Sequence, residues 1–221
     1  MSFGTSRKAA FIKLAILPIP MIVMLALVLM ENAGGLDAGH PMEYLVATCV
    51  LWAILIEILP LLRIARIFSL PFFFEVILYA NIYLYVIALC EGLYLNISWW
   101  GDVTHILSSA LVACFVFLVI CMIETKLPSY TNMGGRAGIT AITFLISMSF
   151  GGIWEIMEGA TDFFSGYAYM VYGATDTLGD MTADLAGVTI TTILVYFVLG
   201  RTASGDIAKD VRFGKSAFDG E

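Results

Sequence analysis

Six apolar runs, each long enough to cross a bilayer, constrain this chain more than any other feature. They lie near residues 14–30, 44–62, 70–90, 103–123, 139–157 and 181–199. A membrane-spanning helix needs roughly 20 such residues. Inside lipid only helices and closed barrels satisfy their own backbone polar groups. The runs are unbroken and lack the alternation of a barrel strand, so they predict helices. The expected fold is an all-α polytopic membrane bundle of six helices over residues 1–200, followed by a mobile, solvated cytoplasmic tail over 201–221. Only 13% of the residues are charged, about half the share of a soluble domain.

The basic residues orient the bundle. Arg7, Lys8 and Lys13 sit before or at the first run, Arg63 and Arg66 between the second and third, Lys126 and Arg136 between the fourth and fifth. Arg201, Lys209, Arg212 and Lys215 follow the sixth. All eleven Lys and Arg therefore fall on one side of a six-span topology. The positive-inside rule makes that side cytoplasmic, with both termini in the cytoplasm and the protein multi-pass in the cell membrane. Pro18 and Pro20 interrupt the first run and no clean small-x-small site follows, so an uncleaved helix is expected rather than a signal peptide. Cys49, Cys90, Cys114 and Cys121 lie at scattered depths and read as buried small side chains, not as a disulfide framework or a thiolate metal site.

The same topology collects Glu31, Asp37, Glu43, Glu91, Asp102, Glu155, Glu158, Asp162, Asp176, Asp180 and Asp184 at the non-cytoplasmic side, with His40 and His105 and no Lys or Arg. Such a face must stay hydrated, bind protons or bind metal ions. Three patterns stand out: Asp102-x2-His105, Glu155-x2-Glu158-x3-Asp162 and Asp176-x3-Asp180-x3-Asp184. Residues three or four apart share a helix face. Helical bundles build metal sites from carboxylates and an imidazole on facing helices. Singly, each group has a plainer role: Asp102, Asp176 or Asp180 as a helix N-cap, the glutamates as a solvated helix end, His105 as a hydrogen-bonded core residue. Together, at matching depth and without a basic partner, Asp102, His105, Glu155, Glu158, Asp176 and Asp180 read as ligands of a divalent metal ion: Mg, Mn, Ca, Fe or Zn. Glu57 and Glu75 differ, since Arg63 and Arg66 are close in sequence. They read as an inner-leaflet ion-pair cluster or as snorkelling side chains, and alternatively as the lower end of an ion path.

The strings WGDVTHI, WEIME and DTLGDM, with their order Asp-x2-His, Glu-x2-Glu, Asp-Thr-x2-Asp-Met, resemble the YjdF-like family of uncharacterised small membrane proteins. The VanZ-like family is a more distant resemblance, and its members are associated with resistance to glycopeptide antibiotics. The likeness covers about residues 98–187 through motifs and the first three spans through hydropathy. By position it implies roles for Asp102, His105, Glu155, Glu158, Asp176 and Asp180. Asp162 and Asp184 have no counterpart in the pattern. The loop Val171-Tyr172-Gly173-Ala174-Thr175 also departs from the Gly-Thr-Gln-Gly-Asp stretch of the relatives.

Three functions fit these residues. The first is metal-dependent hydrolysis or transfer on a lipid head group or lipid-linked phosphate, with Asp184 or Asp162 as general base and the Tyr-rich loop 165–175 as a cover. The second is cation- or proton-coupled transport, for which Glu57 or Glu75 must face the bundle interior. A broken span would strengthen it, and only the first span carries interior prolines. The third is a structural metal clamp, as a homo-oligomer or beside a partner membrane subunit. Membrane lipids are the expected surroundings. Nucleic acid is not an expected partner, because no basic patch with interleaved aromatics exists. No Walker, Rossmann or Ser-His-Asp signature is present, and a haem site would need more histidine at the right depth.

Overall fold

A computed structural model describes residues 7–34, 40–126, 133–171 and 173–218. Among them, six helical segments are long and apolar enough to span a membrane: Arg7–Met30, Met42–Ile64, Phe72–Cys90, Trp100–Lys126, Gly135–Ser165 and Asp176–Leu199. The six expected spans are all present. Most extend several residues past the apolar runs, because helix propensity continues into the polar interface where hydropathy does not. Large apolar side chains such as Phe73, Ile156, Phe163, Phe164 and Leu178 stay exposed. In water such a surface would be a liability, whereas lipid solvates it. The chain forms two compact units.

The first unit holds residues 1–98 with 210–221. Its first span comprises helices α1 (Arg7–Ile16) and α2 (Pro18–Gly34). They meet at Leu17, because Pro18 and Pro20 have no N–H for the preceding turn. The Tyr83 hydroxyl donates to the Leu17 carbonyl at 2.7 Å. The second span is also broken, into α3 (Met42–Leu55) and α4 (Ile58–Ile64). From the sequence, interior prolines fall in the first span alone, whereas Pro60, two residues from the end of the second run, stands beside a break there as well. Pro60 cannot donate to the Ile56 carbonyl, and the helix restarts with Leu61 N–H donating to Glu57 at 3.0 Å. Strand β1 (Phe68–Ser69), helix α5 (Phe72–Cys90) and the short α6 (Leu93–Asn96) complete this part. Met21, Leu45, Cys49, Ile56, Tyr79, Val86, Leu89 and Cys90 form a shared core. Two of the cysteines thus meet, Cys49 Sγ lying 3.8 Å from Cys90 Sγ.

Of the two acids expected to form an inner-leaflet ion-pair cluster, Glu75 forms an ion pair and Glu57 makes no hydrogen bond. Glu75 is buried and its carboxylate pairs with Lys13 of α1. Arg63 contributes electrostatically to Glu75 and lies 4.6 Å from the Phe218 ring centroid. Both Glu57 oxygens are buried and without a hydrogen bond.

The chain end after the last span is not the solvated tail expected from its mixed charges. Strand β2 (Arg212–Phe213) pairs antiparallel with β1, Phe68 opposite Phe213 and Ser69 opposite Arg212. Val211 and Phe218 are buried, Phe218 completely. Two backbone-paired residues and two apolar anchors in a charged stretch are too sparse a pattern to read from hydropathy.

The second unit covers residues 99–209. Helices α7 (Trp100–Lys126), α8 (Gly135–Ser165) and α9 (Asp176–Leu199) pack on one another, and α10 (Ser204–Ala208) packs on α7. The start of α7, the end of α8 and the start of α9 therefore share one end. Close approach depends on small residues, the usual means of packing helices in lipid. A Cβ on Gly187 would collide with the Ser109 hydroxyl and the Ile106 carbonyl. Thr143, Ser147 and Thr192 donate their hydroxyls to carbonyls four residues earlier, which keeps these buried groups satisfied without water.

A candidate metal centre on the last three spans

The three polar patterns converge at the shared end of α7, α8 and α9. Asp102-x2-His105 opens α7, so His105 points one turn into the bundle. There His105 Nδ1 lies 3.2 Å from Asp184 Oδ1, and Nε2 lies 3.7 Å from Asp180 Oδ1. Asp180 and Asp184 are one turn apart on α9 and both are buried. Glu155 and Glu158 face them from α8, each 7% exposed. The Trp154 indole N–H donates to Glu158 Oε1 at 2.7 Å. Neither Glu155 oxygen accepts a hydrogen bond of good geometry, although the Thr177 side chain lies close enough to donate a weak one.

Two overlapping groups bring ligand atoms within 4.8 Å of one another: His105, Glu155 and Asp184, and Glu155, Glu158 and Asp180. Among the described residues no Lys or Arg joins either group. Two like charges 4 Å apart repel by about 4 kcal/mol at an effective dielectric of 20. Four carboxylates so placed require protons or a cation. Oxygen and imidazole donors at this spacing could hold a divalent ion.

The other expected site residues are placed less centrally. Asp102 is exposed and Asp176 half-buried. Both act electrostatically on Asp180, which puts them at the rim. Asp162 belongs to neither group. Its carboxylate accepts the backbone N–H groups of Tyr169 at 2.9 Å, Met170 at 3.1 Å and Val171 at 2.9 Å. A carboxylate so occupied anchors the loop after α8. Gly166 ends that helix in the left-handed conformation, its N–H donating to the Asp162 carbonyl at 3.0 Å. Tyr172 of this loop, Asp37, the Glu31 side chain and residues 128–132 lie outside the described residues. Glu43 and Glu91 are exposed members of the first unit. His40 packs against the Tyr44 ring, 5.3 Å between centroids, and burial lowers its basicity.

Three further residues shape the cluster. A Cβ on Gly151 would lie 2.5 Å from Asp184 Oδ2. Cβ atoms on Gly101 and Gly179 would approach Asp180 and Asp102 at 3.8 and 3.9 Å. Glycine is unfavourable inside a helix, and at Gly151, though not at Gly152, the close approach of another side chain explains it. Which group approaches was not legible.

A family model described as "Predicted membrane protein (DUF2238)" matches residues 19–201. No curated protein and no solved structure matches the chain.

Proposed function

The chain belongs to this family of predicted membrane proteins, the YjdF-like family, and from that premise we propose that it binds a divalent metal ion through His105, Glu155, Glu158, Asp180 and Asp184. The observation that carries the reading is Glu155: a buried carboxylate with two unbonded oxygens, placed among three other carboxylates and an imidazole. An unpaired buried charge is too costly to keep without a partner. The basic residues at the opposite helix ends support an orientation with this site on the non-cytoplasmic face of the cell membrane and both termini inside.

The chemistry we assign is hydrolysis or transfer on a lipid head group or lipid-linked phosphate. A bound divalent ion neutralises phosphate oxygens and lowers the pKa of water. Without it four carboxylates would repel the substrate. Asp184, hydrogen-bonded to His105, is one of the ligands, and Asp162 anchors the backbone of residues 169–171. Asp102 and Asp176 at the rim complete the polar entrance.

Transport of a cation or proton is the second reading. Its support lies in the first unit: Glu57 stands at the break in the second span with both oxygens buried and unbonded. The unbonded Tyr79 hydroxyl is within electrostatic reach of it. Broken helices are where transporters place ion sites.

The test is elemental analysis of the detergent-purified protein, wild type beside His105→Ala and Asp180→Asn. Divalent metal bound by the wild type and lost from both variants is the expected result. A wild type that binds none of Mg, Ca, Mn, Fe or Zn from supplemented buffer overturns the metal reading and moves transport to the front.

A further inference from the structure

We infer that the cluster holds two divalent cations bridged by Glu155, one between His105 and Asp184 and the other between Glu158 and Asp180. This rests on the metal-binding reading above and sets its stoichiometry.

Ligands of one ion, each about 2.0–2.4 Å from it, lie within about twice that distance of one another. The five side chains form two such sets, and Glu155 is the member common to both. Glu155 is 7% exposed, and neither of its oxygens is taken by a hydrogen bond. Glu155 is thus available to both sets. Carboxylate-bridged pairs of ions in helical bundles use this arrangement.

Charge favours the same count. Glu155, Glu158, Asp180 and Asp184 carry four negative charges when ionised. Two dications cancel them, whereas one leaves two charges uncompensated inside a membrane span. The two positions also differ in chemistry. The His105 side offers nitrogen and oxygen, which suits Zn, Mn or Fe. The Glu158 side offers oxygen alone, which suits Mg, Ca or Mn. Trp154, donating to Glu158 Oε1 at 2.7 Å, orients the second set from outside, the usual role of a hydrogen-bond partner behind a ligand.

Metal-stripped full-length protein in detergent would be titrated with Mn²⁺ and the bound ions counted by equilibrium dialysis. The expected result is two ions per chain in the wild type and one in each of His105→Ala and Glu158→Gln. In Glu155→Gln both sites weaken by at least about tenfold. Electron paramagnetic resonance of the loaded wild type supplies a readout that needs no variant to fold: a bridged pair gives a spin-coupled spectrum, an isolated ion a six-line one. A single ion per chain with a six-line spectrum overturns the bridged pair and leaves the metal reading standing. No bound ion in the wild type overturns both.

Discussion

Spans one to three and spans four to six both place acids inside membrane helices, and they compensate them in opposite ways. In the first unit Glu75 is held by Lys13, with Arg63 adding to the field. For Glu75 the opposite charge is supplied by the chain itself, so this pair is complete as folded. In the second unit Glu155, Glu158, Asp180 and Asp184 converge on His105 alone. No cation of the chain joins them among the described residues. The first arrangement is what a structural ion pair looks like, and the second is what a binding site looks like. The difference lies in which partners surround the acids, not in how many acids there are.

The largest effect tests the complete cluster. Replacing Glu75 by Ala removes the carboxylate with which the half-buried Lys13 pairs. The expected destabilisation is about 3–5 kcal/mol, read by thermal or denaturant unfolding in detergent. Replacing both residues by apolar ones of similar size should recover most of the loss. If the single variant is as stable as wild type, the pair is not structural and the contrast fails.

Next comes the incomplete cluster. Stripping metal should lower the stability of the wild type by about 2.7 kcal/mol relative to protein at a hundredfold excess over its dissociation constant. The Glu155→Gln variant, whose sites are at least about tenfold weaker, should respond by about 1.4 kcal/mol or less at the same metal concentration. A variant at Tyr83 in the first unit should respond as the wild type does. Equal sensitivity of Glu155→Gln and wild type would show that any metal effect arises elsewhere.

A smaller change sharpens the geometry. Gly151→Ala adds a Cβ 2.5 Å from Asp184 Oδ2 and must displace that carboxylate. Metal affinity should fall about tenfold or more, or about 1.4 kcal/mol, while Gly152→Ala, whose Cβ meets nothing within 4 Å, should leave it unchanged. Isothermal titration of both variants separates the two.

The smallest effect concerns the breaks in the first unit. Tyr83→Phe removes the hydroxyl that reaches the Leu17 carbonyl at 2.7 Å, at a cost of about 1 kcal/mol. In the same unit mild oxidation should join Cys49 to Cys90, whose sulfurs lie 3.8 Å apart. Intact mass after alkylation would show the loss of two reactive thiols. Full alkylation of both would contradict their contact.

Fold class was legible because lipid imposes one simple demand: about twenty apolar residues per span, with every backbone group satisfied locally. Four of the five cluster residues, His105, Glu155, Glu158 and Asp180, were legible because helical spacing puts residues three and four apart on one face. Asp184 was read as a base and not as a neighbour of His105, since nothing local distinguishes it from Asp176. Asp162 sits on the same stripe as Glu158, yet its carboxylate turns to the backbone of residues 169–171. Stripe position is a property of one helix, whereas the direction of a carboxylate depends on what stands opposite.

The sequence by itself therefore determined the six spans, the separation of bases from acids, and the three helix faces from which a site is built. Only the tertiary structure decided that Lys13, and not Arg66, pairs with Glu75, that Pro60 stands at a break in the second span beside Glu57, and that Glu155 is common to two groups of closely spaced carboxylate and imidazole side chains. Hydropathy and helical period are local and act over a few turns. Pairing between helices depends on how small residues such as Gly151 and Gly187 let them approach, and that is settled only when the bundle packs.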